Sequence, residues 1–151
     1  APSNGTNASL PAFLAKVSAN VANVTGDGTN YHIIYDTVIF DQASNYNNST
    51  GVFTAPITGK YQINAQVNFV NVNPTLIVRG QSQLVATSRT MTNNYMNLSL
   101  VSNADNQVSF SYSTLLDMSA NDTVYVTMYA QGGSKDVYAG PEMYFSGYLI
   151  C

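Results

Sequence analysis

Charge is what this sequence has least of: only 9% of its 151 residues are Asp, Glu, Lys or Arg, against about a quarter in ordinary soluble domains. Its five cations, Lys16, Lys60, Arg79, Arg89 and Lys135, are scattered and the formal net charge is -3. No basic stripe exists to neutralise a nucleic-acid backbone, and nucleic-acid binding is not expected. Cys151 is the single cysteine, which excludes a disulfide within the chain and a zinc site of four thiolates. It stands free or pairs with the same residue of another subunit. No apolar run approaches the roughly 20 residues of a membrane helix, so membrane insertion is not expected. The opening Ala1-Pro2-Ser3-Asn4-Gly5 has neither the charged nor the apolar region of a signal peptide.

Catalytic patterns are equally scarce. His32 is the only histidine, with Asp36 four residues on, and a Ser-His-Asp arrangement can be drawn around it. No Gly-x-Ser-x-Gly elbow accompanies it, however, and no glycine-rich phosphate loop with a following Lys occurs. The expectation is therefore a protein that is not an enzyme and needs no cofactor. Loop oxygens at Asp105, Asn121 and Asp122 are weak calcium candidates, because they lack the spacing of a recognised calcium loop and suit turns as well.

What the chain has in abundance is Asn, Ser, Thr and Tyr, and a period of two. Ala1 to Ser9 is small and polar and reads as a linker or disordered lead-in; one domain is expected over residues 10–151, a length that suits a single core. Tyr61, Ile63, Ala65, Val67 and Phe69 alternate with Lys60, Gln62, Asn64, Gln66 and Asn68, the pattern of a strand with one buried face. Similar alternation runs through Phe13 to Val21, Val108 to Tyr112 and Val124 to Tyr129. Shorter stretches at Tyr31 to Phe40, Thr75 to Val78, Leu84 to Thr87, Met96 to Val101 and Met143 to Ile150 complete a set of about eight to ten strands. Turn signals such as Gly26-Asp27-Gly28, Asn73-Pro74 and Gly132-Gly133 separate them. Many short strands without a credible helix argue for an all-β sandwich, of which the jelly roll is one form.

The middle of the chain is more specific. Tyr35, Asp41, Tyr46, Phe53, Gly59 and Tyr61 fall at the intervals of the aromatic, Asn/Asp, aromatic, Phe, Gly-x-Tyr signature of the C1q family. The ending Phe145-Ser146-Gly147-Tyr148-Leu149-Ile150 is similar to that family's last strand, and Leu116 with Asn121-Asp122-Thr123-Val124 resembles the element before it. The resemblance runs from Ala12 to Ile150, with Ile63, Ala65 and Asn121 departing from the usual residues. It implies a C1q/TNF-like jelly-roll β-sandwich of about ten strands, homotrimeric, with calcium bound in some members. Physical roles can be given beside it: Pro56 for an extended loop, Gly59 for a turn of positive φ, Tyr61 for a strand start.

Tyrosines give a separate reason to expect assembly. Tyr144 and Tyr148 share one face of the last strand and Phe145 the other, so if Phe145 is internal the tyrosines need another surface to cover them. Tyr112, Tyr144 and Tyr148 are the candidate lining of a threefold interface. What the resemblance implies about function is a non-catalytic trimeric recognition head of an extracellular or fibre protein, binding a cell-surface protein or glycan. A structural trimerisation cap without a ligand and a soluble lectin-like innate-immune protein are the alternatives. The loop residues expected to meet a ligand are Asp27, Thr29, Asn30, Arg89, Asn93, Asn94, Lys135 and Asp136.

Overall fold

The computed structural model describes residues 10–92, 95–100 and 106–151. Among them the chain forms thirteen strands: β1 Ala12–Lys16, β2 Val21–Thr25, β3 Asn30–His32, β4 Thr37–Asp41, β5 Tyr46–Asn47, β6 Val52–Thr54, β7 Gly59–Val70, β8 Arg79–Ala86, β9 Thr90–Thr92, β10 Val108–Met118, β11 Thr123–Gln131, β12 Val137–Ala139 and β13 Tyr144–Leu149. Among the described residues the one helical element is a 3-10 turn at Leu98–Leu100. The lead-in expected at Ala1 to Ser9 lies outside the described residues.

All pairings are antiparallel and make two sheets. The larger has seven strands, in the order β2-β12-β7-β13-β1-β4, with β10 along the other side of β7. The smaller runs β5-β6-β11-β8-β9, with β3 also on β11. Neighbours far apart in sequence, such as β1 beside β13, are the crossovers of a jelly roll.

Period-two alternation decides what lies between the sheets. Tyr61, Ile63, Ala65, Val67 and Phe69 of β7 are all buried, as are Val124, Val126, Met128 and Ala130 of β11. An aromatic cluster holds the sheets together near one end: the Phe13 ring stacks on Tyr46 at 5.0 Å and on Phe53 at 4.7 Å and meets the Phe145 ring edge-on at 5.0 Å. Such pairs add about 0.5–1.5 kcal/mol each beyond area burial.

Several expected strands are redrawn. Tyr31 to Phe40 is two strands in different sheets, because the chain crosses the sandwich between β3 and β4. Thr75 to Val78 is a turn, with Leu76 and Ile77 N–H groups bonded to the Asn73 carbonyl, and the strand begins only at Arg79. Met96 makes one isolated bridge to Gly80 before the 3-10 turn; Val101, the end of that expected strand, lies outside the described residues. Gly59 opens β7 and is not among the residues of positive φ. What requires glycine there is close approach, since a Cβ would sit 2.5 Å from the Cys151 carbonyl oxygen and 2.7 Å from Leu149 Cδ1.

Candidate recognition surface

The C1q-type positions form one structural unit. Tyr35 and Tyr61 are wholly buried. The Tyr35 hydroxyl donates to the Gln66 carbonyl at 2.8 Å, that of Tyr46 to the Tyr35 carbonyl at 2.8 Å, and that of Tyr61 to the Ile57 carbonyl at 2.6 Å. Asp41 accepts the Asn45 and Tyr46 N–H groups at 3.1 and 2.9 Å. Each polar tip buried with its ring has found a partner, as burial demands. These residues build scaffold and present no reacting group.

Two surfaces hold the residues expected to meet partners. The first is the outward face of the larger sheet. Gln62, Asn64, Gln66 and Asn68 of β7 stand beside Ser109, Ser111, Ser113 and Leu115 of β10 on one side and Ser146 and Tyr148 of β13 on the other, as the registers dictate. Gln62 Nε2 donates to Asn64 Oδ1 and to Ser113 Oγ, both at 3.1 Å, and Ser109 Oγ to Asn68 Oδ1 at 2.9 Å. Along this face lie three adjoining hollows of about 350, 290 and 350 Å³, the first bordered by Glu142 and Ser109, the second by Tyr144 and Ser111, the third by Phe40 and Tyr148. Large apolar groups stand open on it: Phe40 is 47%, Tyr148 49% and Leu115 57% exposed.

Tyr144 and Tyr148 both belong to this face. Tyr112 does not share it: it borders the middle hollow, but β10 places it opposite Ala65, on the core side of the sheet, packed against the buried cluster. Alternation separates Val108, Phe110 and Tyr112 from Ser109 and Ser111 in the sequence itself, and the register with β7 turns that apolar side inward.

The second surface is a pair of loops at the pole where β8 begins and β11 ends. Gly26 and Gly28 donate their N–H groups to the Ala130 carbonyl at 3.1 and 2.9 Å, and Gly133 donates to the Gly26 carbonyl at 3.1 Å. Gly26, at φ 127°, lies so near the Ser134 carbonyl that a Cβ would be 2.1 Å from its oxygen. This packing brings Asp27, Thr29 and Asn30 together with Lys135 and Asp136. The Asp27 carboxylate accepts the Thr29 hydroxyl at 2.6 Å and the Thr29 N–H at 3.0 Å, and those two bonds hold its pKa below the ordinary value.

Arg89 is not with them. Its turn packs at the opposite pole, where Thr123 N–H donates to Thr87 Oγ1 at 2.8 Å and Ser88 Oγ to the Asp117 carbonyl at 3.2 Å. The Lys60–Asp117 ion pair and the backbone of Cys151 are at that pole too. The described loop residues expected to meet a ligand therefore divide between the two ends of the sandwich; Asn93 and Asn94 lie outside the described residues.

His32 and Asp36 do not meet as a catalytic pair. His32 is in the smaller sheet, its ring stacked on Tyr125 at 4.2 Å. Asp36 precedes β4 of the larger sheet and its two carboxylate oxygens accept the N–H and hydroxyl of Ser18, at 2.8 and 2.5 Å. The calcium candidates are turn residues where they are described: Asn121 has φ 76° and Asp122 accepts the Ser119 N–H at 2.9 Å. Asp105 lies outside the described residues. Among the described residues no three His, Cys, Asp or Glu side chains form a metal-ligating group, and no helix is long and apolar enough to cross a membrane.

No curated protein matches the chain. Solved structures that share its fold include two of distant sequence. The globular domain of the zebrafish complement 1qA protein superposes with a TM-score of 0.64 at 18% identity, over 93% of this chain and 98% of its own. Murine APRIL, crystallised at pH 5.0, gives 0.58 at 11% identity, over 93% and 99%. The C1q domain family model matches residues 12–150, a span that contains the hydrogen-bonded aromatic unit described above. The chain belongs to the C1q domain family, whose globular domains are non-enzymatic recognition and trimerisation modules.

Proposed function

We propose that the chain is the trimeric recognition head of an extracellular protein. In this reading the outward face of the larger sheet is covered by neighbouring copies, and an uncharged cell-surface ligand, a glycan, binds elsewhere on the assembled head. The observation that carries the assembly is the composition of that face: Phe40, Tyr148 and Leu115 stand open among uncharged amides and hydroxyls. Exposed aromatic and aliphatic surface of this kind is stabilised by association, and Tyr suits an interface because its ring buries while its hydroxyl keeps a partner. A face touching a different patch of the next copy closes into a ring when the rotation is threefold, so every copy is equally covered. Membership of a family whose domains usually form homotrimers and are typically extracellular supports the same assembly and location.

Sedimentation equilibrium at micromolar concentration tests this reading. The wild type should sediment at three times the chain mass, and the double variant Tyr148→Asp with Leu115→Asp should remain folded but sediment as a monomer, since carboxylates cannot be buried unpaired in such a contact. A wild type that is monomeric under these conditions overturns it.

A further inference from the structure

The face that a trimer of this kind would leave open is the outward side of the smaller sheet, and its side chains form a grid fixed by register. One row is Asn30, Tyr129 and Gln81; the next is His32, Thr127, Gln83 and Thr92; beyond it stand Tyr125 and Val85. Rings and amides alternate across this grid. Tyr125 is backed by the His32 ring at 4.2 Å, 18° from parallel. The Tyr129 hydroxyl donates to Gln131, and Gln83 Nε2 to Thr92 Oγ1 at 3.1 Å. Burial keeps the His32 pKa below its ordinary value, so at neutral pH these three rows carry no formal charge, and Arg79 of the same face stands one row beyond Tyr129, opposite Gln131.

Two polar atoms in the grid have no partner. Thr127 is 4% exposed although its register puts it on the outward side, and its Oγ1 is unbonded; Nε2 of His32, the residue directly across the strand pair, is unbonded as well. A buried hydroxyl left without a partner is destabilising, and most such groups in native proteins are bonded. Aromatic rings on a rigid central strand, flanked by amides and floored by an unsatisfied donor and acceptor, are complementary to a flat, neutral molecule with many hydroxyls.

We propose that this face, centred on Tyr125 and Tyr129 with Thr127 and Gln83 between them, binds an uncharged pyranose saccharide. The inference rests on the recognition-head reading and places the contact on the flank instead of the loops. The C–H face of the sugar stacks on the tyrosine rings. Its hydroxyls exchange hydrogen bonds with the Gln81 and Gln83 amides and reach Thr127 when the overlying side chains turn aside.

The test uses the assembled protein and the methyl glycosides of glucose, galactose, mannose and N-acetylglucosamine at millimolar concentration, with binding read by saturation-transfer NMR. At least one should bind, and Tyr125→Ala should weaken it by about tenfold, the scale of one lost aromatic contact. Tyr125→Phe should retain affinity within about threefold, since the stacking ring survives. Thr127→Val keeps the shape and removes the orphan hydroxyl; the melting temperature should hold or rise while the affinity falls, a split that a purely structural role would not produce. A glycoside whose binding survives Tyr125→Ala but is lost on Asp27→Ala or Lys135→Ala overturns this site and leaves a recognition head with a loop site. No binding by any of the four overturns the site, while the sedimentation result decides the assembly independently.

Discussion

The Tyr46 hydroxyl donates to the backbone carbonyl of Tyr35 at 2.8 Å, and the Tyr35 hydroxyl in turn donates to the carbonyl of Gln66 at 2.8 Å. These two bonds tie the segment that crosses between sheets to β7, and the Tyr35 carbonyl loses a buried donor if the Tyr46 hydroxyl is removed. Tyr46→Phe, which preserves the stack on Phe13, is expected to destabilise the fold by about 1–3 kcal/mol, the cost of an orphaned buried group. Urea unfolding of both proteins measures it, and an unchanged midpoint would refute the role assigned to this bond.

The same pair sets a limit at alkaline pH. Burial pushes the Tyr35 and Tyr46 phenols above their ordinary value, while unfolded tyrosine ionises near pH 10. A folded-state pKa raised in this way means that the unfolded chain loses its proton first. The stability the pair contributes is full below about pH 10 and is lost as pH rises above it. Of the eleven tyrosines, these two should ionise late, with Tyr31 and Tyr61, whose phenols burial also raises, and together with loss of tertiary structure, in an ultraviolet titration followed alongside near-ultraviolet dichroism.

Gly59→Ala tests a different constraint. A methyl group there must displace the Cys151 carbonyl and the Leu149 side chain, which breaks the pairing in which Lys60 N–H donates to the Cys151 carbonyl at 2.8 Å and Ile150 N–H to the Lys60 carbonyl at 2.7 Å. Overpacking of this sort costs about 1–3 kcal/mol. A thermal melt should show the loss, and hydrogen exchange should show it concentrated at Lys60 and Ile150.

Where one strand's pattern was long and strictly alternating, as in Tyr61 to Phe69, the sequence alone marks the buried face. Short runs were less legible. Tyr31 to Phe40 looks continuous because nothing local reports that its halves pair with different sheets, and Thr75 to Val78 has strand-forming residues but lies in a turn closed by Asn73. The candidate sites divide in the same way. Tyr144 and Tyr148 follow from period two on a strand whose other face holds Phe145, and the same period in Val108, Phe110 and Tyr112 marks the side of β10 that faces the core. Arg89 and Asp27 are both loop residues in sequence; only the strand lengths between them put one at each pole. The tyrosines of β11 were visible as the polar partners of an alternating strand, but nothing in the chain order shows that His32 and Gln83 flank them.

The amino-acid sequence by itself determined the class of fold, the family and the scarcity of charge, because alternation, the spaced aromatics from Tyr35 to Tyr61 and composition are local properties. The tertiary structure alone decided which residues of different strands share a surface, since register and sheet order arise from pairings between segments as distant as β1 and β13. The outward faces of the two sheets, and every inference drawn from them, exist only after those long-range hydrogen bonds have chosen one alignment.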